Sequence, residues 1–304
     1  MTTHTKSHLP SIWMAAFGSK TEFDTRAAEL SAQLEVISAI DDRMLQSRHA
    51  FDIKAWCAAC SSVTPMRVTW HYCGANAAGS VHPAWTETCA CNRCGLNSRM
   101  RALIDFLTSQ LNTPTSARIY VAEQTTVSFS VFQKLFADVT GSEYLGPDYQ
   151  PGEMATGFKN HGQVRHEDLS RLSFADGAFD LVLTQDVFEH VPAYAKTFSE
   201  CARVLKPGGA LVFTVPFFYD QAKTGIRATV DAQGTIQHIL PPEFHGNPVS
   251  NEGSLCFQNF GWDLLETLQA AGFSQPKANL YWGPWAGHMG VPFFVFSAHK
   301  HPLN

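Results

Sequence analysis

Two pairs of cysteines, Cys57 with Cys60 and Cys91 with Cys94, stand at the C-x-x-C spacing that lets two thiolates of one tight turn meet one tetrahedral ion. Gly95, directly after the second pair, suits the positive φ that such turns often need. A redox C-x-x-C is the rival reading for either pair alone, whereas two pairs together favour a structural Zn2+ held by four thiolates. His71, Cys73 and Cys89 are spare groups nearby: each could replace a thiolate, and the plainer reading is a free imidazole and free thiols. Residues 61–90 lie between the pairs, which predicts a small hairpin with a loop, as in a zinc ribbon.

A second set of polar residues sits where apolar runs end. Phe179-Asp180-Leu181-Val182-Leu183-Thr184 and Ala210-Leu211-Val212-Phe213-Thr214-Val215 read as parallel strands buried on both faces. Between them Ala195, Phe198, Ala202 and Leu205 recur at helical spacing, and Lys206-Pro207-Gly208-Gly209 stops the helix. Strand, helix and strand make a right-handed crossover. In such sheets ligands bind beyond the carboxyl ends of the strands, so Asp168 and Gln185-Asp186 point toward a cleft. Upstream, Arg118–Ala122 is a first strand, Ala137–Tyr144 a second containing Glu143 near its end, and Val164–Asp168 a third. Glu143 is placed to accept the ribose hydroxyls of a bound nucleoside, and Asp168 its adenine amino group.

The elements around these residues give an α/β chain: a Rossmann-like doubly wound sheet with a closing antiparallel hairpin, preceded by a small helical and zinc-ribbon module. Residues 1–50 form a helical segment, with Phe23, Ala27, Leu30, Leu34, Ile37 and Ile40 at helical intervals. Residues 51–98 form the zinc-ribbon-like module and 99–116 a linking helix capped by Asn97-Ser98. Arg93, Arg99 and Arg101 there read as a solvated face, with contact to an anion or acidic substrate as the other reading. Residues 117–304 form the sheet domain, with an insertion over 217–260 rich in Gly, Pro and His. An insertion of that length without a helical pattern reads as a lid over the cleft. His238 and His245 are its candidate general bases, with Glu243 to orient one of them.

Composition bounds the partners. With 304 residues, 45% hydrophobic and 16% charged, the chain has material for one large domain and an attachment. A net charge of −5 disfavours binding to duplex nucleic acid through a broad phosphate-contacting face. No apolar run reaches the length of a membrane span, and the N-terminal stretch lacks the apolar core of a signal peptide. The expectation is a cytoplasmic protein with reduced thiols and no membrane contact; its oligomeric state is not encoded.

Asp168-x-x-x-Leu172-Ser173-Phe174-x-Asp176-x-x-Phe179-Asp180, Val187-Phe188-Glu189-His190-Val191 and Arg203-Val204-Leu205-Lys206-Pro207-Gly208-Gly209, at this spacing, resemble the class I S-adenosylmethionine-dependent methyltransferases of the type 11 family. The resemblance covers residues 117–304, and the zinc-knuckle front end is similar to that of some bacterial members. It implies S-adenosyl-L-methionine as cofactor, with Glu143 on the ribose, Asp168 and Leu169 framing the adenine, and Gln185 in the cleft. The chain departs from the family after the first strand, where D-x-G-x-G-x-G is replaced by the glycine-free Val121-Ala122-Glu123-Gln124-Thr125-Thr126-Val127. There Glu123 is placed to pair with the cofactor's ammonium group and Gln124 or Thr125 to hold its carboxylate; the other reading of Glu123 is a cap on the next helix. The implied activity is methyl transfer to a small metabolite or sugar-like acceptor. A catalytically silent scaffold on the same fold is the alternative that the missing glycines favour. A nicotinamide oxidoreductase needs a G-x-G-x-x-G turn that the chain lacks.

Overall fold

A computed structural model describes residues 13–75, 79, 81–158 and 162–302. The first twelve residues, part of the stretch read as lacking a signal-peptide core, lie outside it. The chain runs through strand β1 (Trp13–Phe17), helix α1 (Ala27–Met44), strands β2 (Phe51–Cys57), β3 (Ser62–Val68) and β4 (Ala90–Cys91), and helix α2 (Ser98–Asp105). It continues through β5 (Arg118–Val121), α3 (Val127–Leu135), β6 (Asp138–Gly141), β7 (Phe179–Gln185), α4 (Tyr194–Val204), β8 (Leu205–Thr214), α5 (Asp263–Ala270), β9 (Phe273–Gly283) and β10 (His288–Lys300).

The chain folds as two compact units. The first joins residues 27–106 to 279–293, so the far half of the β9–β10 hairpin belongs with the cysteine-bearing module, a grouping that the linear division at residue 117 does not contain. Strands β2 and β3 pair antiparallel from Phe51 opposite Val68 to Cys57 opposite Ser62, and β4 adds Cys91 opposite Met66. Alternation along β2 sends Phe51, Ile53 and Ala55 inward, against Met66, Val68, Trp85 and Met289. Asn97 caps α2 by accepting from the Met100 N–H at 3.0 Å.

Arg101 is not on a solvated face: it has no exposed surface. Its Nη1 donates to the carbonyls of Cys89 and Leu96 at 2.8 and 3.0 Å, and its Nη2 to those of Ala286 and Gly287 at 3.1 and 3.2 Å. A guanidinium is the one side chain whose rigid fork can satisfy four backbone acceptors inside a core. Arg99 pairs with Glu87 at 3.0 Å, and Arg93 donates to Ser62.

The sheet order is β1-β9-β10-β8-β7-β5-β6, and its strands β8, β7, β5 and β6 belong to the second unit. Strands β8, β7, β5 and β6 are parallel neighbours, and β10 returns antiparallel to β8 with Ala210 opposite His299. This is the Rossmann-like architecture with a closing hairpin. Ile119, Val182, Leu183, Leu211, Val212 and Phe213 are wholly buried, as strands covered on both faces require. The buried stripe of α4 is Thr197, Phe198, Cys201, Ala202 and Val204; Ala195, expected inside, is exposed. The third strand is reduced: Val164–Arg165 pairs antiparallel with Met154–Ala155, and only an isolated parallel bridge, Glu143 to His166, joins it to the strand before.

Arg203 explains why two sequence motifs occur together. It donates to the carbonyls of Leu172 and Phe174 at 2.9 and 2.7 Å and pairs with Asp176 at 2.7 Å, while Lys206 pairs with Asp180 at 2.7 Å. The end of α4 is thereby fastened to the loop before β7, and the strand ends beyond are held in register.

Candidate functional site

Parallel strands deliver their last residues to one end of a sheet, and here that end is acidic: Glu123 after β5, Glu143 after β6, Asp168 after the third-strand remnant, Asp186 and Glu189 after β7. Asp186 holds a left-handed φ of 54°, which turns the chain sharply, and its Oδ1 accepts from Thr214 Oγ1 at 2.8 Å. Burial raises the Glu143 pKa, opposed by bonds from Thr125. Burial, with the Asp186 charge acting in the same direction, raises Glu189 to about 7 against the attraction of His245.

The glycine-free loop finds its own partners. Thr126 caps α3 by accepting from the Phe129 N–H at 3.3 Å, so Glu123 is not the cap. Glu123 reaches across the cleft floor instead, and its Oε1 accepts from the Gln185 N–H at 2.6 Å. Gln124 spends both ends of its amide on the third-strand backbone, donating to the Gln163 carbonyl and accepting from the Arg165 N–H, each at 2.9 Å. Thr125 donates its N–H and its hydroxyl to Glu143 Oε1 at 2.7 and 2.5 Å. Asp168 Oδ1 accepts from the Ser170 N–H and hydroxyl at 2.8 Å, and Leu169 is buried beside it. Gln185 Nε2 is buried with no hydrogen-bond partner, an orphan donor at the end of β7.

These residues fit a cationic nucleoside cofactor. The strand-end carboxylates set a negative field that favours a positively charged ligand, and the orphan Gln185 amide offers a donor for a ligand carboxylate or carbonyl. Glu143 keeps an acceptor oxygen for hydroxyls, although Thr125 already occupies the other.

The insertion is built from short hairpins, Ala228–Val230 with Ile236–His238 and Phe244–His245 with Ser254–Leu255. It lies against the turn after β7: Phe257 N donates to the Glu189 carbonyl at 2.8 Å, and Gln258 Nε2 to the Val191 carbonyl at 3.1 Å. His245 is brought beside Glu243 at 3.4 Å, Cys256 at 3.3 Å and Glu189 at 3.6 Å. Its pKa is raised to about 10, first by the Cys256 thiol and then by Glu189. His238 stands exposed on the other hairpin, opposite Ala228.

In the first unit, the turns after β2 and β4 bring Cys57, Cys60, Cys91 and Cys94 together, with Sγ–Sγ separations of 3.7 Å for Cys57–Cys94 and 3.9 Å for Cys60–Cys91. Zn–S bonds of about 2.3 Å at tetrahedral angles give sulfur separations of roughly 3.8 Å. Cys89 lies apart, buried 4.0 Å from Arg101 Nη2, and Cys73 is exposed.

Residues 128–213 match the family model described as Methyltransferase domain. Over those residues the chain carries a methyltransferase domain. It is similar to an uncharacterized methyltransferase of Mycobacterium sp. (strain JLS), 38% identical over 166 residues that make up 52% of this chain and 66% of that protein. It is also 38% identical over 115 residues, 38% of this chain and 20% of that protein, to the glycine/sarcosine/dimethylglycine N-methyltransferase of Actinopolyspora halophila. The chain covers just under two thirds, 66%, of the strain JLS protein and of its counterparts in Mycobacterium sp. strains KMS and MCS. Among solved structures, the 1,6-didemethyltoxoflavin-N1-methyltransferase of Burkholderia thailandensis, bound to 1,6-didemethyltoxoflavin and S-adenosylhomocysteine, matches with TM-score 0.41 and 18% identity over 66% of this chain and 78% of that one.

Sequence reasoning did not single out Cys256, which follows an insertion hairpin strand and lies 4.0 Å from His190 Nδ1 in the turn after β7. Its spacing from any other cysteine carries no signal. Only the antiparallel pairing of Phe244–His245 with Ser254–Leu255 carries it beside His245. Among the described residues no helix is long and apolar enough to cross a membrane.

Proposed function

We propose that this protein transfers the methyl group of S-adenosyl-L-methionine to a small metabolite or sugar-like acceptor. The observation that carries the reading is the acidic end of the sheet, where Glu123, Glu143, Asp168 and Asp186 follow the strands and the amide of Gln185 is buried without a partner at the end of β7. Glu143 would hold the ribose, Asp168 and Leu169 the adenine, and Gln185, itself oriented by Glu123, the amino-acid part. Gln124 supports the site from outside by fixing the third-strand remnant. When bound, the cofactor supplies an activated methyl on a sulfonium, so this chain has to align the acceptor in line and exclude water. The insertion over 217–260 does that work: it closes the cleft and presents His238, His245 and Glu243 as the polar side chains that select the acceptor. Zn2+ at Cys57, Cys60, Cys91 and Cys94 stabilises the first unit, since four protein thiolates leave no position open for chemistry.

Isothermal titration with S-adenosylhomocysteine tests the reading. Micromolar binding that is lost in Asp168→Ala is the expected result; absence of heat at millimolar ligand overturns it. A second reading, a catalytically silent methyltransferase fold, draws on the Thr125–Glu143 pair, which occupies the ribose-holding carboxylate. Methyl transfer to any acceptor in a screen with labelled cofactor excludes it.

A further inference from the structure

Four side chains at the junction of the insertion with the turn after β7 are not needed to hold a nucleoside. Glu189 and His190 come from that turn, and His245 and Cys256 from the two sides of one insertion hairpin. Cys256 Sγ lies 3.3 Å from His245 Nε2 and 4.0 Å from His190 Nδ1, and one ligand atom from each of the three lies within 4.8 Å of the others. Glu189 Oε1 is 3.6 Å from both imidazoles.

Glu189 is the observation that demands an explanation. Its side chain is 1% exposed, and neither carboxylate oxygen has a hydrogen-bond partner. A buried carboxylate without hydrogen bonds costs several kcal/mol unless a cation compensates it. The side chains in ion-pair range of it are the imidazoles of His190 and His245, which are charged only when protonated, so no cation of fixed charge among them supplies the compensation. His190 Nδ1 lies 2.9 Å from the Leu255 carbonyl, and only an N–H there makes that contact favourable, which leaves Nε2 with a free lone pair. A second ring nitrogen tied to a backbone carbonyl is how protein structures orient a metal-ligating histidine. The thiol of Cys256 is 3% exposed, too enclosed to serve as a nucleophile for an external substrate.

We propose that His190, His245 and Cys256, with the Glu189 carboxylate, bind a second zinc-class divalent cation, separate from the four-thiolate site. Two neutral imidazoles, one thiolate and one carboxylate form a mixed nitrogen, sulfur and oxygen set suited to a borderline-soft, tetrahedral ion. The charges sum to zero around a divalent cation, which is what a buried site requires. Metal binding releases the thiol proton and fixes both histidines as neutral ligands. All four positions come from the protein, so the ion fastens the insertion to the turn after β7 and does no chemistry itself. His245 is then a ligand and not a free base, which leaves His238 as the exposed imidazole of the insertion. The inference holds whether or not the chain transfers methyl groups.

Metal content by plasma mass spectrometry, on protein purified with added Zn2+ and then desalted, is the test. Two ions per chain are expected for wild type, and one each for Cys256→Ser, His245→Ala and Cys91→Ser. Titration of the metal-free protein with Co2+ should show two spectrally distinct sites, the weaker-sulfur one absent from Cys256→Ser. Glu189→Gln, which keeps the shape of the side chain, should weaken that site about 10–100-fold. One ion in wild type, or a Co2+ spectrum unchanged by Cys256→Ser, overturns the proposal and makes the cluster a proton-sharing network. The wild-type measurements decide the matter even where a variant fails to fold.

Discussion

The hydroxyl and the backbone N–H of Thr125 converge on a single oxygen of Glu143, at 2.5 and 2.7 Å. A carboxylate that accepts twice on one oxygen is pinned, and any ribose must share it. Glu143→Gln removes the charge that makes such bonds strong, and should weaken S-adenosylhomocysteine about 10–100-fold in calorimetry. Thr125→Val keeps the branched shape but removes the competing hydroxyl, and should tighten binding a few-fold. Weaker binding by Thr125→Val would mean that the hydroxyl orients Glu143 for the ligand and does not compete with it.

Arg101 gives a prediction about stability. Its guanidinium satisfies the carbonyls of Cys89, Leu96, Ala286 and Gly287 with no exposed surface. Arg101→Met leaves those acceptors unpaired and should cost about 3–5 kcal/mol in urea unfolding. Arg101→Lys should recover less than half of that, because a single ammonium cannot span both pairs of carbonyls. Near-complete recovery by lysine would show that the buried charge, and not the fork, is what the core uses.

How much of this was readable in the residues depends on the range of each interaction. The parallel strands were legible because burial on both faces leaves an uninterrupted apolar run, as in Leu181-Val182-Leu183. The Asp176–Arg203 and Asp180–Lys206 pairs were visible as motifs, although their roles, fastening α4 to the loop before β7 and β8 to β7, needed coordinates. The four zinc-spaced cysteines were legible because each pair is local. Arg101 and Cys256 were not: one is buried by carbonyls from residues 286–287, and the other meets His190 across a separation of 66 positions. No periodicity encodes such encounters. The third strand was overcalled because Val164–Arg165 has strand composition but finds its antiparallel partner in Met154–Ala155.

Gly141 closes β6 with a neutral backbone, yet a Cβ built there would lie 2.5 Å from the Phe129 ring and 2.9 Å from Gln124 Cγ. Gly141→Ala should destabilise the protein by about 1–3 kcal/mol and weaken cofactor binding, since Gln124 fixes the third-strand remnant. Phe129→Leu in the same chain should restore much of the loss. Full stability of Gly141→Ala alone would show that the ring moves freely and that the contact is not a constraint.

Asp41 carries the pH prediction. It is 4% exposed on α1, where burial raises its pKa to about 7 against opposing bonds from the Gly290 N–H at 2.9 Å and the Trp282 side chain. The unfolded chain releases this proton near pH 3.8, so between that value and about 7 the folded state binds more protons than the unfolded one. Stability contributed by this group is therefore present at low pH and falls as pH rises through that window. Asp41→Asn removes the titration while keeping an acceptor for Gly290. Relative to wild type, the variant should gain about 2–4 kcal/mol between pH 4 and pH 8, read as diverging urea midpoints with unchanged slopes. Parallel curves for the two proteins would place the Asp41 carboxyl back in the ordinary range, with water or a cation reaching it in solution.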